Sequence, residues 1–136
     1  MELSMVNTFE EWVALYQKLI YWEIQLEDIE DIGMFEILES QKVEANAQFG
    51  KFIDKNYEDW FDSRYDAPEM SHTLFKNKIA PQLSKNQPTL LVVIDNLRYD
   101  QFKVFEPIIN NYYKKESESA FFSILPTATQ YARNAI

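Results

Sequence analysis

Cysteine is absent from the 136-residue chain, histidine occurs once and glycine twice. Without cysteine there is no disulfide framework, no Cys-based zinc site and no cysteine nucleophile. Two isolated glycines cannot build a glycine-rich phosphate loop. The same lack leaves the redox compartment unmarked. Long apolar runs are missing too: TLLVVI at residues 89–94 falls far short of the roughly 20 residues that span a bilayer. The first residues, MELSMVNTFEEW, are acidic and place no basic segment ahead of an apolar run, so they do not read as a secretory leader. These absences lead to the expectation of a soluble, cytoplasmic chain with no membrane insertion.

What is present is enough to fold. Hydrophobic residues make up 46% of the chain and aromatics 15%, with 3 Trp, 8 Tyr and 10 Phe, which argues against wholesale disorder. The formal charge of −9 is unevenly spread. Residues 1–70 carry 17 acids against 5 bases, a balance of −12, and residues 71–136 carry 5 against 8, a balance of +3. Phosphate binding rests on lysine and arginine displacing counterions, so no nucleic-acid binding is expected of the acidic half. The second half attracts phosphate only weakly.

The acidic half reads as helix. Thr8 followed by Glu11 is a capping box that starts a helix near Phe9. Phe9, Trp12, Val13, Tyr16, Leu19 and Ile20 recur at steps of three and four and form one stripe. That stripe is core rather than a base-stacking surface. Glu27, Asp28, Glu30 and Asp31 lack the glycine pattern of an EF-hand loop. They read as a solvated face or, alternatively, as a docking surface for a basic partner. A second, longer helix begins near Gly33, burying Leu38, Ala45, Phe49, Phe52, Ile53 and Trp60. Gly50 within it is read as the mark of a close helix crossing. Residues 62–68, DSRYDAP, form a turn. Ser71 caps a short third helix that stops near Pro81, and a polar turn follows at residues 84–88.

The period then changes. The apolar run at 89–94 reads as a strand covered on both faces, residues 99–113 as a helix broken at Pro107, and AFFSIL at 120–125 as a second strand. Strand, helix and strand make a βαβ unit. The expected fold is α+β: a helical connector over residues 1–83, then the first βαβ unit of an α/β domain over 84–136. Ligand groups in such sheets gather at the carboxyl ends of strands. Asp95 follows the first strand directly and is either a metal or phosphate-site carboxylate or a cap for the next helix. Thr127 and Thr129 follow the second strand, at a helix start where free N–H groups attract anions, and are either caps or site hydroxyls. Neighbouring strands bring Asp95 and Thr129 to one crevice, where a carboxylate and a hydroxyl can share a divalent metal and activate the hydroxyl.

Two motifs, VIDNLRYD at residues 93–100 and SILPTATQYAR at residues 123–133, together resemble the opening of the PglZ domain of the alkaline phosphatase superfamily. LIYWEIQLED and FIDKNYEDWF in the preceding segment resemble the helical middle region of PorX-type response regulators of Bacteroidetes. That family places a phospho-receiver, helices and a PglZ domain in series and regulates type IX secretion. The resemblance spans nearly the whole chain, with no receiver ahead of it and most of the PglZ domain lacking.

This likeness implies a zinc-dependent phosphodiesterase or phosphatase. It makes Asp95 the first metal ligand, and Thr129 the nucleophile and a further ligand. Thr127 is the weaker candidate, because the family's nucleophile lies three residues beyond the proline. Arg98, at the family spacing from Asp95, helps bind the substrate anion or only anchors its loop, the structural role being slightly favoured. Two zinc ions belong to the complete domain, and none is expected to bind tightly to this chain, which is expected to be inactive alone. His72, the one histidine, has a surface or helix-start role. Implied partners are a phosphodiester or phosphate substrate, a cognate histidine kinase, secretion or transcription factors, and a second copy in a homodimer. The alternative is a non-enzymatic helical module for dimerisation or partner binding.

Overall fold

The computed structural model describes residues 6–27, 29, 31–83 and 87–136. Within the acidic cluster, Asp28 and Glu30 lie outside the described residues, as do residues 84–86 of the polar turn. The chain divides into two compact units, Met1–Ala67 and Pro68–Ile136.

In the first unit, helix α1 (Phe9–Glu27) pairs with helix α2 (Ile32–Asn56). The start of α1 is closed reciprocally: the Glu11 N–H donates to Thr8 Oγ1 at 3.3 Å, and the Thr8 N–H donates to Glu11 Oε2 at 3.1 Å. Helix α2 starts on Asp31, whose Oδ1 accepts from the Met34 N–H at 3.1 Å. A helix leaves its first N–H groups without internal partners, and these side-chain oxygens satisfy some of them. The core holds Trp12, Leu15 and Ala45, with Val6, Leu19, Phe49 and Phe52 against it. Trp12 meets Phe49 edge-on at 5.3 Å between ring centroids. Phe52 continues the cluster to Trp60, 5.8 Å away, on a single helical turn at Asp59–Phe61. Lys42 ties α2 to α1 through Glu23 at 2.7 Å and to its own helix through Glu39 at 2.9 Å. Such pairs at half-exposed sites contribute about 1 kcal/mol or less, so apolar packing holds the two helices together. Gly50 is no close crossing: a Cβ there would meet nothing within 4 Å, and the residue is exposed.

The second unit is not the βαβ unit read from the sequence. Among the described residues there is no strand, only one parallel bridge between Met70 and Phe122. Residues 89–94 carry no regular structure, and Leu90 is 86% exposed. An apolar run records which side chains need cover, whereas a strand also needs a neighbour for its N–H and C=O groups. Here none of the described segments lies alongside residues 89–94 in a ladder.

The observed elements of this unit are short. Helix α3 (Ser71–Leu74) runs on through a wide turn at Phe75–Ile79 and a tight one at Ala80–Gln82. Helix α4 (Tyr99–Ile109) stops two residues after Pro107, which lacks the N–H needed to continue the bonding. Helix α5 (Thr129–Ala132) passes into a tight turn at Arg133–Ala135, which packs on α3. Ser71 does not cap α3. It lies one position inside the helix, 1% exposed, and its Oγ accepts from the Ile124 N–H at 3.2 Å. The Met70 N–H is met instead by Thr73 Oγ1 at 3.1 Å.

Candidate functional site

Two loops of the second unit carry the residues singled out by spacing. The first leaves the extended run at Asp95 and turns at Asn96, whose φ of 62° lies in the left-handed region. Asparagine tolerates that conformation better than most side chains. Asp95 is not the cap of the following helix, because Arg98 holds the N-cap position of α4. Asp95 points its chemistry elsewhere: its Oδ2 lies 3.5 Å from Arg133 Nη1.

Arg98 is committed to its own loop. Its Nε donates to Asp100 Oδ1 at 3.0 Å, its Nη2 also reaches Asp100 Oδ2, and its backbone N–H donates to Gln101 Oε1 at 3.2 Å. The guanidinium holds the Asp100 carboxyl down at about 2. This two-pronged pairing is the strong form of the arginine–carboxylate contact, and it anchors the start of α4.

The second loop is fixed from behind. The Phe122 N–H donates to the Glu69 carbonyl at 2.8 Å, the Ser71 N–H donates to the Phe122 carbonyl at 3.1 Å, and Ser71 Oγ receives the Ile124 N–H. From that seam the chain passes through a cis Leu125–Pro126 peptide to α5. Ala128 is the N-cap of α5 and Thr129 its first residue, so neither Thr127 nor Thr129 caps the helix. With only four residues, α5 offers a short run of aligned peptide dipoles at its N-terminus. The Arg133 N–H donates to the Thr129 carbonyl, closing one helical turn. Residues four apart lie on one helix face, about 5–6 Å apart at Cβ. The Asp95–Arg133 contact therefore brings the first loop to the turn that Thr129 begins.

Arg133 stands in the quoted motif, but the sequence reading gave it no role. The available signal was its four-residue step from Thr129. His72 is the second residue of α3 and is exposed.

Zinc needs at least three protein ligands in a catalytic site. Among the described residues no group of three or more His, Cys, Asp or Glu could hold a metal. A carboxylate and a hydroxyl are suitable oxygen donors but too few, so these residues do not by themselves fit a zinc site. No helix among the described residues is long and apolar enough to cross a membrane.

Residues 1–61 match the family model of the PorX response regulator linker domain. Residues 74–136 match that of the BREX system PglZ alkaline phosphatase-like domain. A comparison with curated proteins finds no match.

Proposed function

Because the chain belongs to the PorX-like regulators that carry a PglZ alkaline phosphatase-like domain, we propose that its second unit supplies one half of a phosphoesterase site. Thr129 is the nucleophile and Asp95 a metal ligand. The supporting observation is the Asp95–Arg133 contact, which sets a carboxylate beside the turn begun by Thr129 while neither residue is spent on a helix cap. In the reaction, Thr129 Oγ forms a bond to phosphorus as the ester P–O bond breaks and the alcohol leaves. The leaving alcohol takes the proton lost by the threonine hydroxyl; water then bonds to phosphorus as the Oγ–P bond breaks, restoring the hydroxyl and releasing phosphate from a monoester or a phosphate monoester from a diester.

Zinc belongs to this reading only where a fuller PglZ domain adds the missing ligands. The chain alone is proposed to be inactive, and the parent to be a cytoplasmic regulator of type IX secretion.

The test is hydrolysis of a nitrophenyl phosphodiester by a parent protein with a complete PglZ domain. Thr129→Val abolishes turnover, and Thr129→Ser retains part of it. Full turnover in the valine variant refutes the nucleophile assignment.

A second reading has its own observation. Phe35, Ile37 and Val43 of α2 are exposed, as expected of a linker that relays a receiver's state by binding a partner or a second copy. Mass measured by light scattering on the parent, with and without a phosphate-mimicking ligand at the receiver, decides it. An unchanged mass removes the dimerisation switch.

A further inference from the structure

The chain has three arginines, and they are used differently. Arg64 grips Asp62 with Nε at 3.0 Å from Oδ1 and Nη2 at 2.5 Å from Oδ2. Arg98 grips Asp100 in the same two-pronged way. Arg133 instead makes a single contact at 3.5 Å with Asp95, and its side chain stays 56% exposed. That separation lies beyond the ordinary range for N–H···O bonds, so the pair is loose where the other two are tight.

The lysines nearest α4 are no alternative. Lys103 and Lys115 are each shared between Glu106 and Glu118, and their charge is spent on those two acids.

We propose that Arg133 is the residue that binds the phosphoryl group presented to Thr129, its ligand class being a phosphate mono- or diester. This rests on the reading of Thr129 as nucleophile. Such a cation suits the site: Asp95 is 44% exposed, and in this chain, which does not complete a metal site, its carboxylate repels an anionic substrate unless a positive charge stands beside it. Arg133 neutralises Asp95 through one nitrogen and keeps its remaining N–H donors for phosphoryl oxygens, the geometry in which a guanidinium serves best. Its four-residue step from Thr129 places both side chains on one face of the same turn.

Inorganic phosphate titrated into the full chain at constant ionic strength, followed by the amide resonances of Thr129 and Arg133, tests the assignment. Arg133→Met weakens phosphate binding about 10-fold, the loss of one charge-assisted contact. Arg133→Lys, which keeps the charge but not the fork of donors, loses less than the methionine variant and does not restore full affinity. Arg98→Met changes affinity less than about twofold, since that guanidinium is already paired. The proposal is overturned if the unmodified chain shows no shift at these amides, if Arg133→Met binds as tightly as the unmodified chain, if the lysine variant loses as much as the methionine variant, or if Arg98→Met costs as much as Arg133→Met. A parent protein that keeps its turnover with Thr129→Val overturns the nucleophile reading instead. That outcome is separate from the phosphate titration.

Discussion

Trp12 shows how single residues set the balance in the first unit. Its indole N–H is buried without an acceptor among the described residues, a cost of about 1–3 kcal/mol for an unmet donor. An aromatic ring of this kind buries about 150–250 Å², which at about 25 cal/mol per Å² is worth roughly 4–6 kcal/mol. Ring burial wins, and the edge-on contact with Phe49 and the tilted one with Phe52 add to it. Gly50 is the opposite case, since it stabilises nothing. A glycine in a helix interior costs about 1 kcal/mol relative to alanine through backbone entropy, and an added methyl meets open space. Gly50→Ala is therefore expected to raise the stability of the first unit by about 0.5–1 kcal/mol. Thermal or urea unfolding of the variant measures it, and a drop in midpoint would restore the close-crossing reading of this glycine.

At the scale of elements, the helices were legible, whereas the two strands read from residues 89–94 and 120–125 do not form. Thr8 with Glu11 marks the start of α1 in the letters alone, because a capping box is a local device whose partners are three residues apart. The apolar stripe of α1 is local in the same sense. The runs at 89–94 and 120–125 contain no such local partner; their pairing depends on distant segments, and composition cannot say whether these lie alongside. The site follows the same division. Asp95, Arg98 and Thr129 could be picked out by their place in motifs, whereas the Asp95–Arg133 contact joins residues 38 apart and has no signature in either loop.

A second long-range contact governs α4. Tyr99 Oη donates to Glu118 Oε1 at 2.8 Å, and Lys103 Nζ reaches Glu118 at 2.8 Å and Glu106 at 2.9 Å. Lys115 bonds the same two acids. Hydrogen bonds from Lys103 and Lys115 hold the Glu118 carboxyl at about 2, below its ordinary value of 4.5. Burial works to lower Lys103, but the bonds from Glu118 and Glu106 outweigh it and push the ammonium up from 10.5. The depressed Glu118 contributes stability that is complete above about 4.5 and is lost as pH falls toward 2. The raised Lys103 contributes stability that is complete below about 10.5 and is lost only in stronger alkali. The protection of α4 amides against hydrogen exchange, after division by the pH-dependent intrinsic rate, is thus expected to be constant between these limits and to fall from pH 4.5 downward. Glu118→Gln is expected to speed exchange at neutral pH and to remove most of the acid-dependent change. An identical acid profile in that variant would show that Glu118 does not tether the helix.

For the whole molecule, the uneven placement of apolar surface matters more than its amount. The first unit gathers its aromatics into one cluster from Trp12 through Phe52 to Trp60. In the second unit, Leu90, Val92, Val93 and Ile94 are all more than half exposed in one uninterrupted stretch. Single exposed apolar residues are ordinary on a protein surface, but a contiguous run is a site of association. It is also rich in β-branched side chains and free of charge and proline, the composition of segments that pair between chains. Charge near the run offers little local protection, since residues 71–136 carry a balance of only +3 and the −9 of the whole chain comes from residues 1–70. The chain is therefore expected to self-associate at micromolar concentration and to bind a hydrophobic dye, with light scattering reporting a mass that grows with concentration. Val92→Lys places a charge in the middle of the run. It is expected to reduce both dye binding and the concentration dependence, and to leave the helical circular dichroism of the first unit unchanged. If the lysine variant associates as strongly as the unmodified chain, the contact lies elsewhere, and the exposed residues of α2 become the surface to change next.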